Sequence, residues 1–300
     1  MVATPAPPFP PAPAIPRKTI AVGILLMVIA VGLFASMNML VKLIGNEYHP
    51  FEAVFFRNTI AAVFVIPFIM FSGGLGTLKT KRPIGHGLRA LAGVGGNACF
   101  FSAYQYIALA DGMAIAMSVP ILATLFAIPL LGERVGWQRW AAIIVGFGGV
   151  LVALDPTGAI GPGSYFALCG TVFWALTIIF VRKLSSTESP YTIVFYYMIT
   201  GSVIAACTMP WVWVTPSPEV LLLYLATGIV GGLGQITMTF ALKMAPASVV
   251  SPFEYTQIIW ALLFDLAIWG ASPATATLLG AGIVIMTGLY IFRREARTKI

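Results

Sequence analysis

Ten long apolar stretches, separated by short runs of glycine, proline and charged residues, dominate this chain of 300 residues. Each stretch is close to the ~20 residues that an α-helix needs to cross about 30 Å of hydrocarbon. Only 9% of the residues are charged, whereas roughly a quarter are charged in an average soluble domain. With so little charge, most of the surface must face lipid. The sequence therefore predicts an all-α membrane protein with ten transmembrane helices.

The predicted spans are bounded by glycine, proline and charge clusters. They cover residues 20–44, 51–72, 87–108, 113–131, 137–154, 163–184, 191–213, 220–242, 247–269 and 273–292. We expect the proline-rich residues 1–19 to form a disordered cytoplasmic tail and residues 293–300 a basic one. The first run is too long for the ~7–15-residue core of a signal peptide. The connection at Asp111 and Gly112 is so short that spans three and four should be antiparallel neighbours.

Lysine and arginine are distributed unevenly between the loops on the two predicted sides of the membrane. Fifteen of the 17 cations fall on one side, and only Lys42 and Arg57 lie near the other. Because positively charged loops stay in the cytoplasm, we expect both termini to be cytoplasmic. This bias also explains the net charge of +7. Since the cations are spread along the chain, they do not form one patch for nucleic acid.

The two halves of the sequence match each other at an offset of about 140 residues. The matched pairs are Gly23 with Gly163, Ala35 with Ala175, Val41 with Val181, Lys42 with Arg182, Pro50 with Pro190 and Phe55 with Phe195. The offset is 133 in the third span and about 138 where Gly132 meets Gly270. Five spans per repeat is an odd number, so the second copy crosses in the opposite direction. We therefore predict two inverted five-helix repeats, residues 20–154 and 163–292, around a central cavity.

Several short motifs together resemble those of a known family. They are Leu130-Leu131-Gly132-Glu133-Arg134 leading into Trp140 and residues 146–151, Phe173-Trp174-Ala175 in span six, and Arg57 in span two. In these motifs the chain is similar to the drug/metabolite transporter superfamily, in its ten-helix EamA-type branch, and to bacterial exporters of aromatic amino acids. The resemblance covers about residues 20–292 and implies export by alternating access. The second half departs from the pattern, with Gly270-Ala271 in place of Gly132-Glu133.

Polar and aromatic residues at mid-membrane depth are the candidates for contact with a solute. A polar side chain in hydrocarbon is costly, so it should face the bundle interior or a wet cavity. Helical spacing places such residues on single faces of spans one, three, eight and nine. The candidate substrate-binding residues are Phe34, Asn38, Asn97, Phe101, Tyr104, Trp174, Gln235, Thr239, Glu254, Gln257 and Trp260.

Each of these faces also has an ordinary structural interpretation. Asn38, Asn97 and Gln235 could be hydrogen-bond partners between helices and not ligands. Trp174 aligns with Phe34 at the offset of 140, so the two could flank a flat apolar side chain, or simply pack in the core. Both alternatives stay open at this point.

The ionisable residues within the spans can also be interpreted either as structural residues or as contacts for a solute. For Arg57 we favour an ion pair with Glu52 or Glu47 at the outer rim over a substrate contact. We expect Lys42 to extend to the outer interface and Asp265 to be solvated. Glu254 could bind an amino group or carry a proton, or it could be a hydrated rim residue.

The predicted function is export of small metabolites across the bacterial inner membrane, with amino acids that have aromatic or other apolar side chains as the favoured solutes. The alternative is a multidrug exporter of lipophilic or quaternary cations. An enzyme is not expected, because the spans contain no histidine and no pair of acids at catalytic spacing. The three cysteines lie in apolar runs and are interpreted as buried hydrophobic residues. We expect no metal, cofactor or nucleic acid. The lipid bilayer and a small solute are the expected partners, and a monomer is compatible with the sequence.

Overall fold

The computed structural model describes residues 17–71, 74–131, 140–141, 144–145, 148–149, 151–152, 161–185, 187–244 and 251–298. The regular structure in these ranges is entirely helical. The helices are α1 (Arg17–Ile44), α2 (Pro50–Phe71), α3 (Pro83–Tyr104), α4 (Leu109–Ala116), α5 (Val119–Leu131), α6 (Pro162–Ser185), α7 (Pro190–Ala206), α8 (Met209–Val212), α9 (Pro218–Met244), α10 (Gln257–Trp269) and α11 (Thr275–Thr298). Two 3₁₀ helices cover Gly74–Leu78 and Ser251–Thr256.

Proline defines the first residue of five helices, namely α2, α3, α6, α7 and α9. Its fixed φ suits the first helical turn, where an N–H has no intrahelical partner. The start of α7 is reinforced by Ser189, whose hydroxyl accepts a hydrogen bond from Thr192 N at 3.1 Å. At the other end of a span, Gly270 terminates α10 in the left-handed conformation, with φ of 60°, which glycine adopts without steric penalty.

Several predicted boundaries are corrected. The first helix begins at Arg17, so residues 17–19 belong to it and not to the tail. The third begins at Pro83 and ends at Tyr104, four residues earlier than predicted. Asp111 and Gly112 therefore lie inside α4, and residues 105–108 form the connection.

Three predicted spans are interrupted. The fourth divides into α4 and α5, and the seventh continues after Ala206 only as the short α8. Within the described residues, the ninth span begins with the 3₁₀ helix Ser251–Thr256, and the α-helix α10 follows from Gln257. The fifth predicted span, 137–154, falls mainly outside them.

The helix contacts repeat between the two halves. The most extensive interfaces are α1 with α9 and α3 with α6. The sequence repeat matches α1 with α6 and α3 with α9, so these two interfaces are equivalent. The matched helices α2 and α7 also contact each other, and α4 of the first repeat contacts α10 of the second. The two repeats thus interlock, and their equivalent helices meet at the centre.

The outer surface of this bundle carries large apolar side chains. Phe71, Ile84 and Met286 are among the most exposed. Among the described residues, four stretches, in α1, α2, α6 and α9, are long and apolar enough to cross a membrane. Cys169 and Cys207 are also exposed, which corrects their interpretation as buried residues. Such a surface is stable in lipid, where backbone groups are satisfied within each helix.

Candidate substrate cavity

A cavity of about 110 Å³ lies where the two repeats meet. Elements of both repeats contribute to its wall. It is lined by Met27, Val31, Phe34, Met37 and Asn38 of α1; Arg57 of α2; Asn97, Phe100 and Tyr104 of α3; Met113, Ala116, Met117 and Val119 from α4 to α5; Trp174 of α6; Gln235 and Met238 of α9; and Glu254, Tyr255 and Gln257.

Eight of the 11 candidate residues lie on this wall. They are Phe34, Asn38, Asn97, Tyr104, Trp174, Gln235, Glu254 and Gln257. The helical-face argument works here because polar groups in the described bundle are directed towards its interior. Phe34 and Trp174, the matched aromatic pair, border the same cavity from α1 and α6.

The other three candidates are not lining residues of the cavity. Phe101 is buried among core residues that include Val41 and Tyr224, and its neighbour Phe100 takes the cavity-facing position. The Thr239 hydroxyl donates to the carbonyl of Gln235 within α9 at 2.8 Å. Trp260 packs against α1, in a cluster with Met27 and Val31. Each was assigned to the right helix but lies one position or one turn away from the cavity.

Five methionines make the wall adaptable, and sequence reasoning missed all of them. They are Met27, Met37, Met113, Met117 and Met238. Thioether side chains are flexible and polarisable, so they fit ligands of differing shape.

The Phe34 ring lies flat against Gly234, where a Cβ would come within 2.9 Å of a ring carbon. The glycine thus permits the close approach of α1 and α9.

Two helix breaks flank the cavity at equivalent positions of the repeats. The first lies between α4 and α5, where Ser118 Oγ donates to the carbonyl of Ile115 at 2.7 Å. The second lies between the 3₁₀ helix and α10, where Thr256 Oγ1 donates to the carbonyl of Phe253 at 2.6 Å. Both pairs are related by the offset of 138 found in the sequence. Interrupted helices at matched positions are how many transporters build a central site.

Arg57 is fully buried and has a different environment from the predicted ion pair. Its Nη1 donates to Asn58 Oδ1 and to the hydroxyl of Tyr197, both at 2.6 Å. Asn97 Nδ2 donates to the same hydroxyl at 2.7 Å. In the described part of the chain no carboxylate lies within ion-pair distance of Arg57. Of the two acids expected to pair with it, Glu52 and Glu47, Glu52 instead accepts a hydrogen bond from Val214 N at 3.2 Å.

Asp265 forms a second buried polar cluster, which corrects its prediction as a solvated residue. Its carboxylate is 1% exposed and accepts hydrogen bonds from Leu109 N and Ala110 N, at 3.2 and 2.8 Å. These are free N–H groups of the first turn of α4, where a negative charge is favourable. Lys42 Nζ lies 3.4 Å from the same carboxylate. It also lies 4.6 Å from the centre of the Trp269 ring, so Lys42 has an anionic partner and an aromatic neighbour within the protein.

The described residues contain no group of three histidine, cysteine or acidic side chains that could hold a metal ion. The described wall of the cavity has instead one cation, Arg57, one carboxylate, Glu254, several amides and a majority of apolar groups. Such a wall can bind a small organic molecule that has both polar and apolar parts.

A helical bundle with a lipid-compatible surface, two interlocked repeats and a central cavity of this kind defines a membrane transporter of small molecules. The model of the EamA-like transporter family matches residues 21–154 and 161–293. The chain belongs to this family, which confirms the resemblance found in the sequence motifs. It is accordingly a multi-pass membrane protein and a transporter of small metabolites.

Characterised relatives cover nearly the whole chain. An S-adenosylmethionine uptake transporter of Rickettsia felis is 28% identical over 93% of this chain and 95% of its own length. A riboflavin transporter of Rhizobium johnstonii is 26% identical over 95% of each chain. The pseudopaline exporter CntI of Pseudomonas aeruginosa is 28% identical over 91% of this chain and 96% of its own length. One crystal structure shares the fold with a TM-score of 0.62, at 20% identity over 92% of this chain and 98% of the other.

Proposed function

We propose that this protein exports amino acids with aromatic or other apolar side chains across the bacterial inner membrane by alternating access. The observation that carries the proposal is the composition of the cavity. Phe34 and Trp174 provide flat apolar surface on two sides, and a polar subset that includes Asn97 and Gln257 provides hydrogen bonds. A solute with an apolar side chain and a polar backbone fits such a wall.

The relatives support a solute of this size and character. Their names give S-adenosylmethionine, riboflavin and pseudopaline as solutes. S-adenosylmethionine combines an amino-acid group with a flat heteroaromatic ring, and riboflavin also has a flat ring system. The direction of transport differs among them, since one name specifies uptake and another export. Export by this chain is therefore part of the proposal.

The proposal includes ten spans with both termini in the cytoplasm. In this arrangement the two repeats are inverted, so the cavity can open to either side by equivalent movements. The matched helix breaks at Ser118 and Thr256 support this mechanism, because each lies beside the cavity in its own repeat.

Two measurements test the function. Purified protein in liposomes loaded with unlabelled L-phenylalanine should accumulate labelled L-phenylalanine by counterflow, faster than protein-free liposomes. Cells that express the protein and are fed a phenylalanine-containing dipeptide should release more phenylalanine and retain less than cells without it. Equal release from both strains, together with active counterflow, would contradict export and leave amino-acid transport in place.

The second candidate function is export of lipophilic cations. Glu254 gives the cavity a carboxylate beside the aromatic ring of Tyr255, and such surroundings attract organic cations. The buried cation Arg57 on the same wall opposes it. Tetraphenylphosphonium in the same counterflow assay distinguishes the two functions. Its transport without that of L-phenylalanine would favour the second.

A further inference from the structure

We propose that Arg57 binds the carboxylate of the solute while Glu254 faces its positively charged group, so that the cavity selects molecules carrying both charges. This inference rests on the proposed function and names the two side chains that would recognise the charges of a zwitterionic solute. It assigns Arg57 a binding role in place of the structural ion pair expected from the sequence.

The first argument is the missing counter-charge. Arg57 is 1% exposed, and its contacts at Nη1 are to the neutral groups of Asn58 and Tyr197. Within the described ranges its Nε has no hydrogen-bond partner. A buried guanidinium without an anion is costly. Since Arg57 lines the cavity, a solute carboxylate can supply the missing charge.

The second argument is the rigidity of the group. Tyr197 receives hydrogen bonds from both Arg57 and Asn97, and the guanidinium of Arg89 lies 3.5 Å from the centre of its ring. The Arg57 side chain passes over Gly231, where a Cβ would come within 3.2 Å of Nε. A guanidinium held in place can bind a carboxylate through two parallel hydrogen bonds, with little loss of conformational entropy.

The third argument is position. Arg57 and Tyr197 are 140 residues apart, which is the offset between the two repeats, so they are equivalent residues in contact with each other. They belong to α2 and α7, which meet at the centre of the molecule. A group at this junction borders the central site whichever repeat moves, so it can hold a solute throughout alternating access.

The fourth argument is charge balance in the cavity. Among the described lining residues, the two charged ones are Arg57 and Glu254, and they come from different repeats. Among the described residues they form no ion pair with each other. A zwitterion can satisfy both charges, whereas an ion of one sign leaves the opposite side chain unpaired in a site of low dielectric.

Three related solutes test this selection in proteoliposomes. L-Phenylalanine is a zwitterion, phenylalaninamide lacks the carboxylate, and 3-phenylpropionate lacks the amino group. At about pH 6, below the ordinary α-amino pKa, the amide is a cation. We expect counterflow of L-phenylalanine by the unmodified protein to be at least about 10-fold faster than that of either analogue, corresponding to ~1.4 kcal/mol.

Two substitutions, each of which removes one charge from the cavity, should each abolish one part of this selection. Arg57→Gln should abolish the preference for L-phenylalanine over the amide, and Glu254→Gln should abolish the preference over 3-phenylpropionate. Arg57→Lys keeps the charge without the planar fork and should retain part of the preference. Arg82→Gln, which removes an exposed cation outside the cavity, is the matched control. It should change neither the preference for L-phenylalanine over the amide nor the preference over 3-phenylpropionate. Elution as a single species in size-exclusion chromatography shows which variants are folded.

The outcomes separate the two proposals. Equal counterflow of all three solutes through the unmodified protein would overturn zwitterion selection and leave amino-acid transport standing. A folded Arg57→Gln protein that still prefers L-phenylalanine to the amide would overturn the role of Arg57. If none of the three solutes moves while tetraphenylphosphonium does, the proposed function itself fails.

Discussion

At the scale of the residue, the charged side chains Asp265, Arg57 and Glu254 have three different environments in the described bundle. Asp265 is neutralised by Lys42 and by backbone N–H groups of α4. Arg57 is held by neutral hydrogen-bond acceptors and lines the cavity. Glu254 lines the same cavity from the 3₁₀ helix. Asp265 has fixed partners within the protein, whereas Arg57 and Glu254 face the cavity, which is why we propose them as solute ligands.

Trp174→Ala tests the aromatic wall. Contact between the indole and a flat solute is worth on the order of 1 kcal/mol, so counterflow at low solute concentration should fall several-fold. The yield of folded protein should be nearly unchanged. Trp211→Ala, which removes a tryptophan that is 82% exposed, is the control and should transport normally. A collapse of folded yield for Trp174→Ala alone would show that the ring is part of the core.

Glu254→Gln tests whether the carboxylate takes part in transport. The substitution keeps the size of the side chain and removes its charge, so either proposed role, proton carrier or ligand for an amino group, is lost. We expect a lower rate or a changed pH dependence of L-phenylalanine exchange. Glu219→Gln, at the exposed start of α9, should behave like the unmodified protein. Parental rates for Glu254→Gln from pH 5 to pH 8 would show that the charge of Glu254 takes no part in transport.

At the scale of the element, helix ends and breaks are stabilised by other helices or by side-chain hydroxyls. The residue preceding α4 is Ala108, which cannot cap it. Asp265 of α10 supplies the acceptor from a distant position in the chain. Ser118 and Thr256 satisfy carbonyls at the two breaks. The Asp265 hydrogen bonds join the second repeat to the start of α4 in the first.

Asp265→Asn tests the link between α4, α10 and α1. Asparagine retains one acceptor oxygen but leaves Lys42 without its partner. Breaking a buried ion pair costs about 3 kcal/mol, reduced here because Lys42 is partly exposed. The midpoint of thermal unfolding in detergent should therefore decrease. Replacing Lys42 by Met in the same protein should recover part of the loss, and Glu47→Gln, in the exposed connection before α2, should have no effect. An unchanged midpoint for Asp265→Asn would contradict a stabilising role.

At the scale of the whole molecule, the interfaces α1 with α9 and α3 with α6 make the two repeats interdependent. The cavity has walls from both repeats, so neither repeat contains a complete site. This arrangement is compatible with the proposed alternating access, in which the two repeats move relative to each other.

Reporter fusions test the proposed topology. The uneven distribution of lysine and arginine predicts a cytoplasmic reporter at Lys79 and at Lys299, because positively charged loops are retained on that side. A reporter at Pro216, between α8 and α9, should be periplasmic. Opposite locations for Lys79 and Lys299 would eliminate the model of ten spans.

Sequence alone determined the helical membrane class, the two repeats and eight residues on the cavity wall. These features depend on local properties, namely the length of apolar runs, the period of the helix and the cost of polar groups in hydrocarbon. Even the matched aromatics Phe34 and Trp174 could be found by overlaying the two halves. The resemblance to the family also came from local features, namely short sequence motifs.

Tertiary structure decided which partner each buried charge has. Nothing local indicates that Asp265 caps a helix more than 150 positions earlier in the chain. Arg57 has acidic neighbours in sequence, yet it donates to Tyr197, because α2 and α7 meet at the centre. The methionines of the wall are indistinguishable in sequence from lipid-facing ones. Hydrocarbon constrains the period and length of a helix, whereas the rotation and packing of helices select the faces that enclose the cavity.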